Sequence, residues 1–292
     1  MFVPINTKAR VDELIQGIIV QSANDASIAI AEHLGGTEAE FTKLMEAEAR
    51  RIGLMKCTFT NATGLSKPGH LMTARELATL ARFIIKEYPE FYKTFGQKEF
   101  QYKKYRFFNR NPLIGADLNV DGLKTGHTAE AGYGMVVSAL NGSQRLIGVV
   151  MGLPDEKSRK EEARRLVEWG VKSTATFKLF EADEEVGYAR VWGGKRWYVP
   201  LTGKGALEVV LPRFPANQKL KGEIVYMGPL KPPVKKGDQV ATLRVSSTVS
   251  GASEPTAMSE VPLYAADDVE PASFVWKGLD SLVYLALRWV KL

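Results

Sequence analysis

A single cysteine, Cys57, stands among 292 residues, which excludes an internal disulfide and any cysteine-based zinc site. Histidine is nearly as scarce. His33, His70 and His127 are the only three, and no two are spaced i, i+4 as a helical metal site requires, so neither a metal nor a cofactor is expected. Nowhere do 18 apolar residues run together, and "MFVPINTKARVDELIQG" lacks the charged start and apolar middle of a signal peptide. What remains is a globular composition, 45% hydrophobic and 25% charged. The net charge of +6 favours an anionic partner, but the basic residues are scattered and form no nucleic-acid module. A phospholipid surface or an anionic cell-surface polymer fits them better.

Helix signals fill the first third. Thr37 with Glu40, and Thr73 with Glu76, read as capping boxes for "EAEFTKLMEAEARRIG" and "ARELATLARFIIKEY". Between them "CTFTNATGLSKPGHLMT" carries the Gly, Pro, Asn and Ser of a long loop, a length often functional inside a compact domain. Strands follow: "KEFQYKKYRFF" alternates aromatic and polar residues, and Asn141-Gly142-Ser143 joins "AGYGMVVSAL" to "QRLIGVVMG" as an antiparallel hairpin. A helix with the stripe Ala163, Leu166, Val167, Gly170 closes this part. The pattern predicts an α+β domain of helices packed on an antiparallel sheet over residues 1–173. Short strand-like runs with Gly, Pro and Lys turns then predict a small all-β domain over 174–272.

The last segment, 273–292, reads as an amphipathic helix in which Phe274, Trp276, Leu282, Leu285 and Trp289 are apolar and Lys277, Arg288 and Lys291 basic. Trp, Leu and basic residues suit an interfacial helix on an anionic membrane surface, while a helix packed on a protein core is the structural alternative.

Two short motifs carry chemistry. In "IIVQSANDASIAIAEHLGG" the polar residues Ser22, Asn24 and Asp25 interrupt two apolar runs. Asn24 or Asp25 could simply cap the following helix, closed by Gly35-Gly36. In "VDGLKTGHTAEAGYGMVVSAL" the triplet Lys124-Thr125-Gly126 opens a strand. Gly126 removes a side chain where an extended substrate could lie along the strand edge, and Lys124 and Thr125 offer a cation and a hydroxyl to a carboxylate.

Together these segments resemble the D-alanyl-D-alanine carboxypeptidases, the low-molecular-weight penicillin-binding proteins. "IQGIIVQSANDASIAIAEHLGG" is similar to their Ser-x-Asn segment and "NRNPLIGADLNVDGLKTGHTAEAGY" to their Lys-Thr-Gly segment. The similarity continues through "RLIGVVMG" and "EARRLVEWG", the β-rich region and the terminal helix. It implies a penicillin-binding/β-lactamase-like fold and a serine peptidase that trims the terminal D-alanine of peptidoglycan pentapeptides and binds β-lactams. By the resemblance, Ser22 relays a proton, Asn24 holds the catalytic lysine and the substrate amide, and Lys124 supplies positive potential. Thr125 binds the terminal carboxylate beside Gly126, the His127 N–H forms half of an oxyanion hole, and Arg110 and Arg159 line the mouth of the cleft. A solvated surface position is the other reading of Arg159. The implied location is the outer, periplasmic face of the cytoplasmic membrane.

One departure bears on activity. The family's nucleophile lies in a Ser-x-x-Lys motif upstream of Ser-x-Asn, and no such motif precedes Ser22 here. Met1 is therefore expected to be an internal methionine, the sheet to lack strands, and the chain to be inactive alone. Two further readings are a noncatalytic peptidoglycan-binding or scaffold homologue and a class A β-lactamase-like hydrolase.

Overall fold

The N-terminal third alternates helix caps with apolar stripes, and short helices form at each. They are α1 (Val11–Gln16), a π-helical turn at Gly17–Gln21, α2 (Asn24–Gly35), α3 (Glu38–Arg51), α4 (Ala74–Glu87) and α5 (Pro89–Tyr92). The computed structural model describes residues 1–213, 218–249, 257–278 and 280–281, which fall into two units, Met1–Lys172 and Ser173–Leu292.

Capping forms largely as the sequence predicts. Thr73 and Glu76 close a complete capping box on α4, and the buried Glu76 carboxylate also accepts the Lys56 N–H at 2.5 Å. Thr37 caps α3 through the Glu40 N–H at 3.2 Å, but the Glu40 carboxylate turns outward to Lys43 instead of back to the cap. Such caps are worth about 1 kcal/mol each. At α2 the capping reading fails: the N-cap is Ala23, with no side-chain bond, and the Asp25 carboxylate accepts from Val3 N–H at 2.9 Å. Asn24 is left exposed in the first turn.

"KEFQYKKYRFF" folds as two strands, β1 (Glu99–Tyr102) and β2 (Tyr105–Phe108), turning at Lys103-Lys104 where Lys103 takes φ 53°. Their inward residues Phe100 and Tyr102 pack with Leu14, Val20 and Ala26, so this hairpin supports the turn that carries Ser22. The main sheet has the order β3-β4-β5 from β3 (Val120–Thr128), β4 (Gly132–Asn141) and β5 (Gln144–Leu153). Asn141 pairs with Gln144, so the predicted hairpin turns at Gly142-Ser143, with Gly142 at φ 62°. Among the described residues β3 is an edge strand, and so is β5 on the far side.

Helix α6 (Glu156–Ser173) lays its predicted stripe on this sheet. Ala163 and Val167 join Leu113, Val120, Met135 and Val137 in one core. Gly148 admits Leu166 so closely that a Cβ there would lie 2.7 Å from its Cδ2. On the other face Ala81 of α4 packs with Tyr92 and Leu123.

The second unit is β-rich. Its strands are β6 (Thr174–Phe180), β7 (Gly187–Arg190), β8 (Tyr198–Thr202), β9 (Leu207–Pro212), β10 (Gln218–Val225), β11 (Gln239–Val249) and β12 (Ala257–Ala265). Five of them form the sheet β10-β11-β12-β8-β7, and β6 pairs with β9. Val191, Val199, Leu201, Val209, Leu211 and Leu263 lie in its core, each at most 1% exposed. Residues 274–278 are helical, and 279 and 282–292, which hold most of the amphipathic pattern, lie outside the described residues.

Candidate active site

Ser22 follows the π-helical turn and precedes α2, and it takes left-handed backbone angles, φ 61° and ψ 46°. For a residue with a Cβ this conformation costs about 1–2 kcal/mol. It is held by the Ser22 N–H donating to Ile18 O at 3.2 Å and the Ala23 N–H to Gly17 O at 3.1 Å. The reversal aims the hydroxyl at the edge strand. There the Lys124 ammonium donates to Ser22 Oγ at 2.9 Å and to the Thr125 carbonyl at 2.9 Å. The two sequence motifs meet in one hydrogen bond.

Around that contact lies a cleft of about 520 Å³ bordered by Ser22, Asn24, Arg110, Lys124, Thr125 and Arg159, with Gly126 and His127 on the same wall. A Cβ on Gly126 would meet nothing within 4 Å, so the space over the face of β3 at this residue is open. Thr125 is buried, while His127 is exposed. Burial first, and then the charges of Arg110 and Arg159, push the Lys124 ammonium down to about 8. Three cations, Arg110, Lys124 and Arg159, thus line the cleft with one carboxylate, that of the exposed Glu156.

Arg159 is not on a solvated surface. It is 5% exposed, its guanidinium lies 5.5 Å above the Tyr133 ring, and its only ion pair among the described residues is a loose 3.6 Å contact with the exposed Glu156. Its Nε has no hydrogen-bond partner among the described residues. The reason is its position on the inward face of α6, in register with Ala163 and Val167. Arg110 is exposed, and its N–H donates to Val20 O at 3.3 Å, tying it to the Ser22 turn.

Several residues of the site carry no sequence signal. Tyr133 stacks on His127 with ring centroids 3.9 Å apart while its ring also underlies Arg159, so one aromatic positions both. The long loop does form a wall, through 62–65. Its shape there is set by buried Asn61, which accepts from Thr63 and Gly64 N–H at 3.1 and 2.7 Å and donates to Leu65 O at 2.8 Å. Ser66 is hydrogen-bonded to Glu130 of the β3–β4 turn, joining this wall to the edge strand's hairpin. Turn composition marked the loop but not which residue organises it.

The sequence pattern of D-alanyl-D-alanine carboxypeptidases matches residues 1–155, and that of the C-terminal domain of penicillin-binding protein 5 matches 175–271. The chain belongs to the D-alanyl-D-alanine carboxypeptidase family. Among its relatives, the D-alanyl-D-alanine carboxypeptidase DacC of Escherichia coli (strain K12) is 36% identical over 99% of this chain and 71% of its own length. DacA of Haemophilus influenzae is 37% identical over 82% of this chain and 62% of its own. The crystal structure of penicillin binding protein 5 from Haemophilus influenzae superposes with a TM-score of 0.71 at 35% identity, covering 92% of this chain and 77% of that one. Penicillin-Binding Protein D2 from Listeria monocytogenes, in its ampicillin-bound form, is similar over 54% of this chain and 66% of its own, with a TM-score of 0.51 and 32% identity. The family is that of serine-type, penicillin-binding cell-wall hydrolases, and the α+β arrangement followed by a β-rich domain is theirs.

Proposed function

We propose that this chain carries the substrate-binding half of a D-Ala-D-Ala carboxypeptidase site. The observation that carries the reading is the Lys124–Ser22 hydrogen bond at the open edge of β3, inside a cleft where Arg110 and Arg159 add positive charge. The C-terminal carboxylate of a pentapeptide lies against Thr125, Lys124 and Arg159, and its backbone extends over Gly126. A serine hydroxyl from a Ser-x-x-Lys segment attacks the carbonyl of the penultimate D-alanine. The developing oxyanion is met by N–H donors that include His127. The serine proton passes through Ser22, eased by Lys124, to the departing amine of D-alanine, and Asn24 holds the substrate amide.

Acylation needs the serine of a Ser-x-x-Lys segment, so the half-site described here binds the peptide and does not cleave it by itself. By the same reading residues 273–292 act as an interfacial helix that holds the protein to an anionic membrane surface on its periplasmic side. Calorimetric titration with a peptide ending in D-Ala-D-Ala, against the same peptide amidated at its C-terminus, tests the cleft. Binding should need the free carboxylate, and equal binding of both would refute the assignment of the cationic wall.

A further inference from the structure

The start of the C-terminal segment is clamped to the β-rich unit by a buried ion pair. Asp280 is 2% exposed, and its carboxylate is hydrogen-bonded to the Arg190 guanidinium and to the Gly193 N–H, the latter at 2.6 Å. Trp192 Nε1 donates to Ser281 Oγ at 3.3 Å, and the Lys277 stem lies against Gly193. These contacts turn 277, 280 and 281 toward the β-rich unit, so Lys277 is half-buried rather than free to reach headgroups as the sequence pattern implied. Phe274, Val275 and Trp276 are left 90%, 72% and 55% exposed.

The same arginine organises a second aromatic. Arg190 lies 5.4 Å above the Trp197 ring and donates to the Trp197 carbonyl at 2.9 Å. Trp197, from the connection between β7 and β8, is itself 43% exposed. It shares a groove of about 580 Å³ with Trp276 and Lys195. Lys195 is exposed and has no ion pair among the described residues, whereas the neighbouring Arg196 is paired with Asp267 at 2.7 Å. Two exposed tryptophans sharing a groove beside a cation with no ion pair among the described residues mark an interaction site.

We propose that this groove and residues 274–276 form one lipid-facing surface, so that the β-rich unit itself enters the headgroup layer of an anionic bilayer through Trp197 and Lys195. The proposal rests on the interfacial reading of 273–292 and extends it to a part of the fold outside the terminal helix. Two features favour lipid over a glycan strand. In sequence, 274–276 lead on to the Leu, Trp, Arg and Lys residues of 282–292, and the groove's other lining residues, Gly194, Ala272 and Ser273, bring only one hydroxyl to bind sugar. Tryptophan with an adjacent lysine suits the boundary where an apolar ring meets charged headgroups.

The whole 292-residue protein should be compared on phosphatidylcholine–phosphatidylglycerol and pure phosphatidylcholine vesicles, by flotation and by tryptophan quenching with brominated lipid. Flotation should require phosphatidylglycerol, Trp197→Phe should remove part of the quenching, and Lys195→Glu should weaken partitioning about five- to thirtyfold at an unchanged melting temperature. If deleting 282–292 abolishes flotation while Trp197→Phe and Lys195→Glu have no effect, the terminal helix binds lipid by itself and the proposed surface is wrong. If the intact protein does not float, both readings fail. Trp197-dependent cosedimentation with purified peptidoglycan, with vesicle binding unaffected by the variants, would assign the groove to glycan and overturn the lipid assignment.

Discussion

The Lys124 ammonium donates to Ser22 Oγ at 2.9 Å although 102 positions separate the two residues in sequence. One comes from a strained turn before a helix and the other from an edge strand, and their contact brings the two family motifs to a single point. Because burial and two arginines hold Lys124 at about 8, the pair works near its titration point.

The pH dependence follows in sign. Between about 8 and its ordinary 10.5, Lys124 binds fewer protons folded than unfolded, so stability contributed by this group rises with pH across that window. Ligand binding runs the other way, since only the ammonium attracts a carboxylate. Affinity for a peptide ending in D-Ala-D-Ala should be highest below pH 8 and fall above it. Lys124→Met should flatten both dependences. Titrations and thermal melts on both sides of pH 8 check this, and an unchanged affinity profile in the variant would remove Lys124 from the binding step.

Ser22 stores backbone strain that a glycine would relieve. Ser22→Gly and Ser22→Ala both delete the hydroxyl, but only glycine accepts φ 61° freely. The glycine variant should therefore be more stable than the alanine variant by about 1 kcal/mol, and melt roughly 2–4 °C higher. Differential scanning calorimetry of the two proteins reads the difference. Equal melting temperatures would mean that the turn relaxes when the hydroxyl is gone.

Arg159 should behave as a buried binding group and not as a rim charge. Arg159→Ala is expected to weaken carboxylate binding by about 1.5–3 kcal/mol, whereas the exposed Arg165, paired with Glu162 at 2.5 Å, should change it little when replaced. The same substitution removes a positive neighbour of Lys124, so the pH midpoint of binding should rise. Parallel calorimetry of Arg159→Ala and Arg165→Ala decides it, and matching affinities would return Arg159 to a structural role.

Legibility in the sequence followed the reach of each signal. Local signals such as the Thr73–Glu76 box, the Gly142 turn and the α6 stripe translate directly into structure because their causes lie within a few residues. Motif chemistry placed Ser22 and Lys124 in one site, since both triplets are short and fixed in spacing. What escaped depends on packing between distant segments. Tyr133 matters because a strand sets it between His127 and Arg159, and Arg159 is buried because its helix turns that face to the sheet. Nothing in a lone Arg or Tyr announces such partners. The capping reading of Asn24 and Asp25 failed for the same reason: Asp25 is drawn to Val3 by tertiary packing, which leaves Asn24 to the cleft.

If this chain holds the substrate-binding half of a carboxypeptidase site, the serine that is acylated comes from a Ser-x-x-Lys segment. Fluorescent penicillin followed by a denaturing gel tests this, with the 292-residue chain alone and with a Ser-x-x-Lys-bearing N-terminal segment of the family fused ahead of it. The chain alone should give no covalent band, and the fusion should give one that Lys124→Ala slows by about 10²–10³-fold. A band on the unfused chain that disappears in Ser22→Ala would contradict the account, because Ser22 would then be the nucleophile itself.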